Sequence, residues 1–175
     1  MGTPPRDPIE VTVEIPSGSR NKYEFDHARH RYVLDRVLYS SVHYPCDYGF
    51  IDGSLADDGD PLDVLVVISE PTFPGCVVRA RPVGVLDMTD DKGHDYKILA
   101  VAHDDPRWDE TQALEDLSPH RLREIENFFL TYKKLEGRET DVSGWLGVDD
   151  AWRIIDASTR AGSDGSATGQ PGTWR

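Results

Sequence analysis

Three aspartates fall within six residues, Asp58-Gly59-Asp60-Pro61-Leu62-Asp63. Gly59 and Pro61 forbid a regular helix, so the segment reads as a turn that hands over to a strand. Carboxylates this close repel one another, and a fold accepts them when hard cations neutralise the set. The other reading is a solvated acidic loop, the commoner fate of a charge run. An EF-hand is excluded: counted from Asp58, the place that needs glycine holds Asp63, and the closing place holds Ser69 rather than Glu. A second cluster, Asp90-Asp91-Lys92-Gly93-His94-Asp95-Tyr96-Lys97, sets Asp95 and Lys97 on one face at the entry to a strand. Taken alone it suits an acidic hairpin tip. Lys22, Arg36, Lys97 and Lys133 each lie near an element end or on a wet strand face, where a solvated charge is the ordinary explanation. Tyr44 and Tyr48 suit core aromatics. Tyr132 continues a helical apolar stripe, and Lys133 complements the negative end of that helix.

The elements that must position these groups are written in the hydrophobic pattern. Ile9, Val11, Val13 and Ile15 alternate with polar residues, which predicts a strand whose wet face carries Glu14. Lys22-Tyr23-Glu24-Phe25 alternates again, with Lys22 and Glu24 on one side. Further strands are expected at Tyr32–Arg36, within Val42–Ile51, and at Val64–Ile68, Val77–Leu86 and 97–102, with an acidic turn from Asp87 to Asp95. Ser118 and Pro119 suit a helix start, and Leu122, Ile125, Phe129 and Tyr132 form its stripe. Gly137 suits its stop. A second helix fits Asp149–Ser158. Residues 1–8 are expected to fray, 9–159 to form one domain, and 160–175 to be a disordered tail. Strands followed by helices predict an α+β domain, a small closed or partly closed barrel with helices beside it.

Composition narrows the function. The 175 residues hold 32 acidic and 19 basic side chains, a net charge of −13. Such a surface disfavours nucleic acid and anionic membranes, which need clustered Lys and Arg. Cys46 and Cys76 have neither zinc nor thioredoxin spacing and read as reduced thiols of a cytoplasmic protein. The first eight residues lack the apolar stretch of a secretory signal, and the longest apolar runs are far too short to span a membrane.

The ordered set of motifs resembles the family I soluble inorganic pyrophosphatases, of the bacterial type. It comprises Glu14-Ile-Pro, Asn21-Lys22-Tyr23-Glu24, Leu34-Asp35-Arg36, Tyr44-Pro-Cys-Asp-Tyr48-Gly49, Asp58-Gly-Asp60-Pro-Leu-Asp63, Arg81-Pro-Val-Gly-Val, Met88-Thr-Asp90 and Phe128-Phe-Leu-Thr-Tyr132-Lys133. The similarity runs from Ile9 to Trp152, and Lys22–His27 with Asp104–Trp108 looks most like the actinobacterial branch. The resemblance implies a distorted five-stranded OB-like β-barrel flanked by two main C-terminal helices. It implies Mg²⁺-dependent hydrolysis of pyrophosphate to two orthophosphates, with Mn²⁺ or Zn²⁺ as substitutes, by a cytoplasmic homohexamer. Asp58, Asp63 and Asp95 match ligands of the tightest metals, Asp90 a ligand of a metal arriving with substrate, and Glu14 a further one. Asp60 matches the general base, and Tyr48 lies beside the nucleophile. Lys22, Arg36, Lys97, Tyr132 and Lys133 match phosphate contacts, with Tyr44 and Glu24 in support of the substrate site. The physics agrees, because bound divalent cations turn an acidic pocket into one that attracts a polyanion.

Three departures from the family pattern stand out. The loop after Tyr132-Lys133 lacks the usual proline, running Leu135-Glu136-Gly137-Arg138-Glu139. His94 stands beside Asp95 as either a titrating neighbour of a metal ligand or a solvated turn histidine. His27 has the same ambiguity, with a subunit contact as the alternative. A non-catalytic cation- or phosphate-binding protein would use the same carboxylates, but the presence of Asp60 and all five phosphate contacts argues against it. A Nudix-type hydrolase would need a Glu-rich helix with an Arg-Glu-x-x-Glu-Glu core, which is absent.

Overall fold

The computed structural model describes residues 6–167. Eight strands and two helices follow in the order β1 (Ile9–Ile15), β2 (Asn21–Asp26), β3 (Arg31–Val37), β4 (Asp47–Phe50), β5 (Asp63–Val67), β6 (Val77–Asp90), β7 (Gly93–Ala102), α1 (Pro119–Thr131), β8 (Asp141–Leu146) and α2 (Val148–Ala167). Strands β1-β4-β5-β7-β6 pair in that order, and β6 pairs back onto β1, which closes a ring of five. β8 adds a sixth strand along the second half of β6, and β2 and β3 form a separate hairpin. The fold is α+β with a distorted five-stranded ring and two main helices, as expected.

Both faces of the central strands are covered, which is why Val64–Ile68 reads as an unbroken apolar run. Leu65, Val67, Leu86 and Leu99 pack with Ile125 and Phe129 of α1. The alternate residues Val64, Val66, Val85 and Ile98 pack with Ala151, Ile154 and Ile155 of α2. Among the described residues no helix is long and apolar enough to cross a membrane.

Four local expectations need correction. The segment from Asp87 to Asp95 is not an extended turn: β6 and β7 continue as a ladder to Asp90 and Gly93, leaving only a two-residue tip. β8 was not anticipated, because its half-buried sequence with Ser143 and Gly144 carries no clear alternation. Ser118 precedes α1, with Pro119 at its first position, but its side chain makes no capping hydrogen bond. The expected tail begins as helix: α2 runs to Ala167, and only 168–175 lie outside the described residues. At the other end residues 1–5 lie outside them, whereas Arg6 is tied down. Its guanidinium donates to both Asp156 carboxylate oxygens at 2.7 and 3.0 Å and stacks 4.0 Å from the Trp152 ring centroid.

Candidate active site

Strand register builds the floor of a cavity of about 580 Å³. β5 and β7 run parallel with Asp63 opposite Lys97, and Asp95 lies two residues earlier on the same face of β7. The Lys97 ammonium donates to Asp63 at 2.6 Å, Asp95 at 2.7 Å and the Tyr48 hydroxyl at 3.0 Å. Tyr48, from β4, donates in turn to Asp63 at 2.7 Å. Lys97 is 3% exposed. Burial works against its charge, but Asp63, Tyr48 and Asp95 more than offset that and hold the ammonium well above the ordinary lysine range. Burial also raises the Asp95 carboxyl, against the pull of Lys97, and keeps the Tyr48 phenol neutral.

Irregularities in the strands aim further groups inward. Val13 pairs with Gly49 and Ile15 with Tyr48, so Glu14 is an extra, bulged residue whose side chain turns into the cavity. It accepts the Phe25 amide at 2.7 Å, and burial lifts its pKa to about 7. On the hairpin, Lys22 pairs directly opposite Arg36. Two like charges across a ladder repel, so both draw in anions. Asp35, the bulged residue beside Arg36, contacts both at 3.2 and 2.5 Å. Lys22 also bonds Glu24. Glu136 lies 2.6 Å from Arg36 Nε and accepts a hydrogen bond from Arg36 Nη2 at 3.3 Å.

α1 delivers the opposite wall. Tyr132 follows its last turn, 6% exposed and stacked on Phe128. Lys133, equally buried, donates to Asp90 at 2.8 Å and holds that carboxyl below its usual range despite burial. The chain then makes a short 3-10 turn, Lys134–Glu136, ended by Gly137 at φ 72°. The proline-free loop thus still stops sharply, and Arg138 clasps Asp91 at 3.0–3.1 Å.

The Asp58–Asp60 loop forms the rim. Gly59, at φ 88°, allows the tight turn, and Asp58 accepts the Asp60 amide at 3.0 Å. Both carboxylates are exposed at the mouth of the cavity.

Of the fourteen expected site residues, thirteen line this one cavity. Tyr44 does not. It is 2% exposed and lies behind the wall, 5.5 Å from Tyr48 and 4.7 Å from Phe128 between ring centroids. It packs against Tyr48 as a core aromatic and does not line the cavity. His27 lines the cavity against Phe25 and Phe50. His94 faces away, 2.6 Å from Asp87 and edge-on to Tyr96. Sequence reasoning missed Asp35, Lys92, Glu136 and Arg138, whose charges look ordinary until the loops meet.

The comparisons with known proteins come to one answer. The family model described as inorganic pyrophosphatase matches residues 11–162. The chain belongs to the inorganic pyrophosphatase family. An inorganic pyrophosphatase from Nostoc is 54% identical over 153 residues, covering 87% of this chain and 90% of its own. One from Methanosarcina acetivorans is 57% identical, covering 81% and 84%. The crystal structure of the inorganic pyrophosphatase from Thermus thermophilus superposes with a TM-score of 0.88 at 41% identity, over 93% of this chain and 95% of that one. The chain is an enzyme of this pyrophosphatase family.

The chemistry of the pyrophosphatase cavity fits divalent cations. Among the described residues no three acidic, histidine or cysteine side chains are drawn together as a formed cage. Yet the available donors are all carboxylate oxygens, the donor type hard cations take. Glu14 and Asp95 are disfavoured as anions where they lie, and Lys97 bridges Asp63 and Asp95. A divalent cation would relieve the same repulsion.

Proposed function

We propose that this chain hydrolyses inorganic pyrophosphate to two orthophosphates in a Mg²⁺-dependent reaction. One observation carries the reading: a single cavity holds uncompensated carboxylates along one rim and cations from four elements along the others. Asp58, Asp63, Asp90, Asp95 and Glu14 are the residues to hold the ions. Bound there, Mg²⁺ supplies charge neutralisation for the phosphates and lowers the pKa of an attacking water toward about 7.

The chain's own residues do the rest. Lys22 and Arg36, adjacent across the hairpin, grip one phosphoryl group once their carboxylate partners yield to it. Lys97 and Tyr48 hold the floor and orient Asp63. Asp60 stands at the mouth with its carboxylate outside any ion pair among the described residues, and it takes the proton from the attacking water. Oxygen attacks one phosphorus in line, and the bridging P–O bond breaks. The departing phosphate gains charge, which Arg36, Lys133 and the Tyr132 hydroxyl stabilise. No covalent nucleophile is needed, and buried Cys46, with its thiol raised to about 12, takes no part.

Phosphate release from pyrophosphate at pH 7 to 8 tests this, with Mg²⁺, with chelator, and with ATP in parallel. Rapid release that needs Mg²⁺ and spares ATP is expected. Release of phosphate from ATP at the same rate would overturn the substrate assignment. We further infer a homohexamer. The exposed side chains of Leu34, Val37, Tyr39, Phe73, Val77 and Leu135 support burial against further copies. Sedimentation as a monomer at micromolar concentration would refute it. Two free cysteines support a cytoplasmic setting.

A further inference from the structure

We propose that the second half of α2, through Gly162, positions the loop that carries Asp58 and Asp60 and thereby sets the affinity of the site for Mg²⁺. The inference rests on the reading that Asp58 ligates that ion.

The loop has internal bonds, and Ala56 packs against the core cluster that α2 helps to form. At its neck the Ser54 hydroxyl donates to the Ile51 carbonyl at 2.6 Å and accepts the Leu62 amide at 2.8 Å. Near its tip the Ala56 amide donates to the Asp60 carbonyl at 2.8 Å. These bonds set its shape and not its placement against the cavity. Placement comes from α2. The Leu55 amide donates to the Ser158 carbonyl at 3.0 Å. One turn further on, Gly162 lies so close to Gly53 that a Cβ there would fall 2.0 Å from the Gly53 carbonyl oxygen and 2.9 Å from its carbon.

The two contacts form one device. A helical side chain leans toward the N-terminus and covers the turn before its own Cα. Any side chain at position 162 would shield the Ser158 carbonyl and push away the loop that reaches it. Glycine leaves that carbonyl open to a second amide. Helix propensity disfavours glycine here, so the packing requirement outweighs it. The platform beneath is firm. Ala151, Ile154 and Ile155 are buried in the core beside Leu62, and Arg6 braces Asp156. Gly162 is thus a positioning residue, acting on the cation site through the backbone of residues 53–55.

Gly162→Ala tests this, with Gly165→Ala as the control, because a methyl at position 165 meets open space. Helix propensity favours both substitutions equally. Mg²⁺ affinity measured by calorimetry should fall about tenfold in Gly162→Ala, the scale of supporting-shell substitutions. The Mg²⁺ concentration for half-maximal pyrophosphate hydrolysis should rise in parallel, and kcat at saturating Mg²⁺ should fall as well, because the same loop carries Asp60. Gly165→Ala should change none of these. Unaltered affinity in Gly162→Ala, or an equal fall in Gly165→Ala, overturns the inference. An unaltered enzyme that neither binds nor needs Mg²⁺ overturns instead the reading beneath it. Hydrogen exchange on the unaltered protein gives a second test independent of whether the variant folds. The Leu55 amide should be protected, and exchange at the rate of an unstructured amide would sink the proposal.

Discussion

On the cavity floor, Asp63, Asp95 and Lys97 stand on paired strands, and each is held by another. On the rim, Asp58 and Asp60 stand on a loop, exposed, with ion pairs to neither among the described residues. The floor is rigid because strand register and burial leave its groups one arrangement. The rim is shaped by turn chemistry and placed by a helix packed behind it. The difference maps onto chemistry. Groups that hold charge in a fixed place sit on the sheet, and Asp60, the proton acceptor in the proposed mechanism, sits where water can reach.

The sharpest break of this contrast is Asp60→Asn. Turnover should fall by about 10²–10⁴-fold, the usual contribution of a general base, with the unfolding midpoint unchanged. Retained turnover would show that the rim does not supply the base. On the floor the expected damage is structural. Lys97→Met leaves Asp63 and Asp95 facing each other without their cation, and a buried pair broken this way costs about 3–5 kcal/mol. Urea denaturation in chelator would read that loss, and added Mg²⁺ should recover part of it. An unchanged midpoint would mean that the floor is not the rigid partner described here.

Glu14 gives a smaller, pH-dependent test between the two regions. Its folded pKa of about 7 lies above the ordinary 4.5, so the folded state binds more protons between these values. The contribution of Glu14 to the stability of the metal-free protein is therefore fully present below pH 4.5 and is lost as pH rises to about 7, by about 3 kcal/mol. Glu14→Gln should remove that slope, so the stability difference between the two proteins should vary with pH only in this window. A difference that stays flat with pH refutes the burial assigned to Glu14. The smallest effect is expected at the surface. Arg138→Ala opens an exposed clasp on Asp91, and the melting temperature should move by no more than about 2 °C.

Much of this was legible. Alternation marked β1 at both ends, because one face is buried and the other wet. The aspartate hexapeptide announced itself because glycine and proline leave little room for other structure. Other parts were silent. β8 is an edge strand whose Ser143 and Gly144 give no period. Residues 160–167 look like a tail because Ala, Gly and Ser carry little apolar surface, yet they are helical where the helix meets the Gly53–Leu55 backbone. Asp35, Glu136 and Arg138 are unremarkable charges in sequence and became site residues only when the hairpin, the β6–β7 tip and the loop after α1 converged.

By itself the sequence determined which groups could do chemistry, the strand-then-helix order and the strongly acidic balance. These are local properties, set by residue type and spacing. Only the tertiary structure decided that Asp63 faces Lys97, that a bulge turns Glu14 inward, that Tyr44 stands behind the wall, and that glycine at position 162 lets a helix carry the rim. Those outcomes depend on register between distant strands and on which surfaces come within contact, and no local pattern encodes either.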